Sequence, residues 1–180
     1  MNPIPAALVY PLPTINPMSL ESIIGTVGVS YNNFASATWV AANRALFIPF
    51  SLQVPIVAKK LFVANATTGI PNDNIDVGIY SADGTRIVSA GSTAQSGTEI
   101  AQNFAIADTL IGPGVFYLAM VMSGSTGTIY RASNATLATL RRAGMLQMAS
   151  AFPLPTTATF AAIGNAYIPM VGLRWGGTVL

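Results

Sequence analysis

Histidine and cysteine are both absent from this chain. That removes Ser-His-Asp and Cys-His triads, zincin motifs, disulfides and the commonest metal ligands. The remaining acids are Glu21, Asp73, Asp76, Asp83, Glu99 and Asp108. Two carboxylates facing one another are the machinery of glycoside hydrolysis. Nothing pairs these six, and four of them lie in or beside turn-forming residues. Neither a phosphate-binding loop nor a dinucleotide fingerprint occurs. The expectation is a chain that is not an enzyme and holds no cofactor. Asn72, Asp73, Asn74 and Asp76 form an oxygen-rich cluster of the kind that holds calcium. Its spacing is not that of an EF-hand, and a solvated turn is the ordinary alternative. Trp39, Tyr80, Tyr130 and Trp175 are the aromatics able to stack on sugar rings. Aromatics of a β-sandwich equally fill its core or a subunit interface. Met120, Met122, Met145, Met148 and Met170 read as core filler.

The chain has 180 residues, enough for one domain with a sizeable core. Hydrophobic residues make up 52% and charged residues 8%, against ~25% charged in ordinary globular domains. Few charges are available to cover a solvated surface, so lipid or other protein subunits must account for the rest. A membrane-spanning helix needs about 20 mostly apolar residues. The charge-free stretches 1–20, 22–43, 109–130 and 143–173 are interrupted by prolines, glycines or polar runs. No span and no signal peptide is expected, and protein neighbours are the better reading of the missing charge. The net charge of +2 is spread out, with Lys59-Lys60 and Arg141-Arg142 the basic pairs. No nucleic-acid footprint is present.

Residues 1–20 read as an extended arm. Pro3, Pro5, Pro11, Pro13 and Pro17 favour polyproline-like extension, while Ile4, Leu8, Tyr10 and Leu12 give it apolar contacts that a solvated tail would lack. It either folds back over its own domain or docks on a neighbouring subunit. The expected division is an arm and linker over 1–34 and a β domain over 35–180. In that domain Ser36 to Ala42 reads as a strand. Arg44 to Val54 alternates as another, with Pro49 and Pro55 requiring an edge or a bulge. Ile56 to Ala64 follows, then Ile75 to Ile79, an Asp83-Gly84 hairpin turn and a return strand over Thr85 to Ala90. Glu99 to Ile106 is the next strand. Gly112-Pro113-Gly114 turns the chain into Val115 to Met122, apolar on both faces and therefore central. Asn134 to Arg142 is the one fair helix, capped by Ser133 or Asn134 and closed by Gly144. The β pattern resumes at Ala166 to Trp175. Short strands with turns every 8–12 residues indicate a sandwich or barrel.

Three segments have a familiar order: 54–69 (VPIVAKKLFVANATTG), 75–92 (IDVGIYSADGTRIVSAGS) and 99–121 (EIAQNFAIADTLIGPGVFYLAMV). They resemble a jelly-roll-like β-sandwich module of tailed-phage tail, fibre and virion-associated proteins. The shared features are Gly78-Ile79-Tyr80, Asp83-Gly84 and the run from Leu110 to Ala119. The resemblance covers about residues 44–131. It implies an all-β, antiparallel, jelly-roll-like sandwich, to which the residue pattern adds an extended N-terminal arm and at most one short helix. It further implies a virion structural subunit (a capsid decoration, connector, tail or fibre component) made in the host cytoplasm. Related sandwiches also serve as carbohydrate-binding modules, so a receptor-recognition domain for host-surface glycans remains the alternative. The low charge and the apolar arm lead us to expect a homo-oligomer, a trimer, bound to other virion proteins.

Overall fold

The computed structural model describes residues 22–25, 34–66, 73–132 and 135–178. It is an all-β sandwich. One sheet has four strands in the order β1 (Ser22–Gly25), β14 (Val171–Thr178), β4 (Ile56–Ala64) and β8 (Ala101–Ile111). The facing sheet runs β12 (Ala161–Ala162), β11 (Leu146–Met148), β3 (Ala45–Leu52), β9 (Gly114–Met122), β5 (Asn74–Ser81) and β6 (Arg86–Ser89). The two-residue β7 (Thr93–Ala94) pairs with the start of β5. A small third sheet joins β13 (Ile168–Pro169), β10 (Thr128–Ala132) and β2 (Phe34–Thr38). All the pairings given by these strands are antiparallel.

Alternation along the strands builds two cores. Leu46, Phe50 and Leu52 of β3, Ile75, Val77 and Ile79 of β5, and Leu118, Met120 and Met122 of β9 point between the sheets. They meet Ile56, Leu61 and Val63 of β4, Phe104 of β8, and Val171 and Leu173 of β14. The intervening residues Phe47, Tyr80, Ala119 and Val121 face the other way, where Ala151, Leu154 and Ala158 cover them. The segment 149–160 is thus a lid over the outer face of the larger sheet. This explains why β9 is apolar on both sides. It lies between β3 and β5, and Leu118 to Met122 are all buried. Its first residues differ from the expectation, because Val115 stands 53% exposed.

The Gly78-Ile79-Tyr80 step follows from the same two faces. A Cβ on Gly78 would stand 2.8 Å from the Val88 carbonyl of β6 and 2.9 Å from Leu154 Cδ1 of the lid, so glycine lets β6 pack close and leaves room for the lid. Tyr80 packs edge-on to Phe47, with ring centroids 5.3 Å apart, and donates its hydroxyl to the Pro155 carbonyl at 2.5 Å. The Asp83-Gly84 hairpin turn forms where it was expected. Gly84 has φ +89°, and the Asp83 carboxylate accepts from the Ser81 hydroxyl and the Thr85 amide.

Pro49 is an edge residue inside a central strand. β11 pairs only with Ala45 to Phe47, so beyond Phe47 the strand keeps β9 alone as its partner. The helix α1 (Leu137–Arg142) starts later than the expected Asn134. Its cap is Thr136, whose hydroxyl accepts from the Thr139 amide. Ser133 and Asn134 lie outside the described residues. β8 runs on to Ile111 through an irregularity opposite Ala58 to Lys60, rather than ending near Ile106. β10 fills part of the segment between β9 and α1, for which no element was expected, and pairs with β2 from Thr128 onward. Ser22–Gly25, within the segment read as arm and linker, is a strand paired with Trp175 to Gly172.

Candidate functional site

The sandwich has two ends with different chemistry. At one end the chain passes twice between the sheets, through 53–55 from β3 to β4 and through 112–113 from β8 to β9. The crossings run side by side, because Leu52 pairs with Gly114 and Ile56 with Ile111. Val54 lies on the first crossing, and Leu110 and Val115 flank the second. These three are 50%, 60% and 53% exposed. Val115, expected in a strand buried on both faces, is thus exposed. The available signal was an apolar residue on each side of Gly112-Pro113-Gly114. Strand β1 also begins at this end, since Ser22 pairs with Trp175 and Trp175 with Ala58, two residues into β4.

The opposite end is polar inside. Asn65 is fully buried. Its amide donates to the Ser96 carbonyl at 2.6 Å and to Gln102 Oε1 at 2.9 Å, and its Oδ1 accepts from Gln95 Nε2 at 3.1 Å. Gln95 Nε2 also donates to the Thr128 carbonyl, tying the 95–102 loop to β10. Beside this network lies a groove of about 360 Å³ lined by Phe34, Ala64, Asn65, Glu99, Ile100, Ala101, Tyr130 and Met170. Ile100 on its rim is 54% exposed.

Asp73 and Asp76 do not make a solvated turn. Both are buried, and each carboxylate has its own protein donors. Asp73 Oδ2 accepts from the amide and hydroxyl of Thr126, both at 2.9 Å, and from the Gly127 amide at 2.6 Å. Asp76 accepts from the Ser89 hydroxyl at 2.8 Å and the Leu154 amide at 3.0 Å. Burial raises the Asp76 carboxyl above its ordinary range, opposed by Ser89, the Leu154 and Gly91 amides and the Arg86 charge. Asn74 is exposed, and Asn72 lies outside the described residues. Sequence spacing alone put these oxygens together; the fold sends Asp73 to the 123–127 loop and Asp76 to the lid.

The four aromatics do not form one platform. Trp39 is 2% exposed, donates its indole N–H to the Arg44 carbonyl at 3.0 Å and packs edge-on to Tyr167. Tyr80 is wholly buried. Neither ring can offer a face to a sugar, which corrects that part of the sequence expectation. Trp175 is half-buried against the main core. Tyr130, also half-buried, is the member of the set that reaches a groove. Ile4, Leu8, Tyr10 and Leu12 of the arm lie outside the described residues. Of the methionines, Met120, Met122 and Met145 are core residues, while Met170 lines the groove.

No protein-family model matches the chain, and no curated protein matches it. Among solved structures it is similar to VP2 of infectious bursal disease virus in a subviral particle. The TM-score is 0.36 and the identity 11%, over 86% of this chain and 40% of that one. A structure of the Gt strain of the same virus gives a TM-score of 0.34 and 11% identity over the same shares. The chain therefore spans about two fifths of the chains it matches. TM-scores this low have no bearing on what this chain does.

Proposed function

We propose that this chain is a non-enzymatic structural subunit of a virus particle, built to assemble with copies of itself and with other virion proteins. The observation that carries the reading is the gathering of Val54, Leu110 and Val115, each at least half exposed, at one end of the sandwich. A chain with 8% charge that leaves such side chains in water is fitted for burial against protein. The chemistry-bearing groups support the same view. Asp73, Asp76, Asn65 and Gln95 spend their hydrogen bonds holding loops. Assignment to a tailed phage, as a capsid decoration, connector, tail or fibre component, rests on the motif resemblance over about residues 44–131. A homotrimer is the assembly we favour. Light scattering on the purified chain and its copy number in purified particles test this. A monomer at micromolar concentration, absent from particles, overturns it.

A second reading has one observation in its favour. Tyr130 shares its groove with the exposed Glu99, an aromatic beside a polar side chain, as glycan sites use. If this chain recognises host-surface glycans, millimolar oligosaccharides will shift resonances of groove residues, and Tyr130→Ala will abolish the shifts.

A further inference from the structure

We propose that Arg44, Arg131 and Arg141 form a docking face for a carboxylate-rich segment of another protein. The inference rests on the reading of the chain as an assembling subunit and names a partner chemistry for it. The three arginines come from separate elements: the turn before β3, strand β10 and helix α1. All three are held by the segment 163–167. Arg44 donates Nη1 to Asn165 Oδ1 at 2.8 Å, and Arg141 donates Nε to the Ile163 carbonyl at 3.1 Å. The Arg131 guanidinium lies over the Tyr167 ring, 5.3 Å from its centroid. Tyr167 is itself fixed, edge-on to Trp39 and with its hydroxyl donating to the Ala37 carbonyl. Four residue steps separate Ile163 from Tyr167, so the three anchors lie within about 14 Å of one another. Gly164 and Ala166 between them are exposed, which places the cluster at the surface.

Every partner in this cluster is neutral. An arginine cannot shed its charge in a protein, yet none of the three has a carboxylate partner among the described residues. Arg131 Nε is buried with no hydrogen-bond acceptor among them. Arg44 and Arg141 each spend one N–H on the segment, and the rest of each guanidinium has no acceptor among the described residues. Like charges fixed this closely repel one another. An incoming anion relieves the repulsion and accepts the open N–H groups.

A second copy is poorly equipped to supply that anion. Asp73 and Asp76 are buried with their own donors. Asp83 is taken up by Ser81 and Thr85, and Asp108 pairs with Lys59. Glu21 and Glu99 remain, too few to present a cluster of carboxylates. Nucleic acid is disfavoured as well. Lys59, Arg86 and Arg174 are engaged elsewhere, with Asp108, the Leu154 carbonyl and the Phe62 ring. A phosphate backbone would therefore find few further contacts beyond the cluster. The planar guanidinium fork matches a carboxylate.

Hexaglutamate added to the full-length chain is the probe. It should shift backbone amide resonances of residues 163–167, and added salt should weaken the binding, as it does for charges at a surface. Arg44→Gln with Arg141→Gln should keep the melting transition while the affinity falls about tenfold. Arg141→Gln alone, at an exposed position, should give a smaller loss in the same direction. Absence of binding to wild type, or binding that neither variant weakens, overturns the proposal. So does tighter binding of a single-stranded oligonucleotide of the same length. A gain in affinity on Glu21→Gln also overturns it, because the chain's own carboxylate would then already fill the site. Light scattering reports on assembly separately. A monomeric chain that binds hexaglutamate through these arginines keeps the site and removes the homo-oligomer.

Discussion

Asp73 and Asp76 are three residues apart, yet they hold different parts of the molecule. Asp73 gathers three donors of the 126–127 loop on one oxygen. Truncation leaves buried donors unpaired at about 1–3 kcal/mol for each group that water cannot reach. Thr126 is exposed and its donors can turn to water, so the buried Gly127 amide sets the scale: Asp73→Ala should destabilise the fold by about 1–3 kcal/mol in urea denaturation, and a loss under about 1 kcal/mol would mean that the loop holds itself. Asp76 invites a test with pH. Its folded carboxyl is raised above its unfolded value, mainly by burial. Between those two values the folded chain holds the proton and the unfolded chain has lost it. The contribution is thus present in full at low pH and lost as pH rises through the folded value. Measured against Asp76→Asn, which does not titrate, wild type should gain relative stability as pH falls from 7 to 4. The other carboxylates are common to both chains and cancel. A gap that moves against wild type on acidification would reverse the assignment.

At the scale of elements, β9 shows what the sequence could and could not tell. Its doubly apolar run identified a central strand, and the pairing with β3 and β5 bears this out. Leu118 is 1% exposed in the main core. Leu118→Asp should abolish folding, because an unpaired buried charge costs several kcal/mol, on the order of a whole domain's stability. Soluble protein with a native β-type circular dichroism spectrum would show the strand to be misplaced. The lid that covers the other face of β9 was illegible. Residues 149–160 have no period, and their fit depends on Gly78 and Tyr80, some 70 residues earlier. Strands with clean alternation and turns with Asp-Gly or Gly-Pro-Gly were readable because those signals are local. The helix start was misplaced by a few residues because Ser133, Asn134 and Thr136 are all acceptable caps, and only the fold selects Thr136. The candidate surfaces were least legible of all. Whether Leu110 faces water depends on the irregular pairing of β8 with β4, which no residue type announces.

The whole molecule is a sandwich whose two ends have been given different work. The Asn65–Gln95 network closes one end internally, whereas the crossing end keeps its apolar side chains outside. The N-terminal residues make up the difference if they belong to an interface rather than to the core. Among the described residues the buried members of the two cores begin at Trp39. A chain beginning at Glu21 keeps Ser22 and with it the whole of β1 against β14. Such a chain should retain a cooperative melting transition of β type. It should also lose association, since each of Ile4, Leu8, Tyr10 and Leu12 brings about 1.5–3 kcal/mol when fully buried, and prolines in the same stretch lower the entropy lost on docking. Light scattering across a concentration series, set beside the melting curve, separates the outcomes. Full association by the shortened chain would show that the sandwich surfaces alone hold the assembly. Loss of the folded state would place the arm in its own domain's structure.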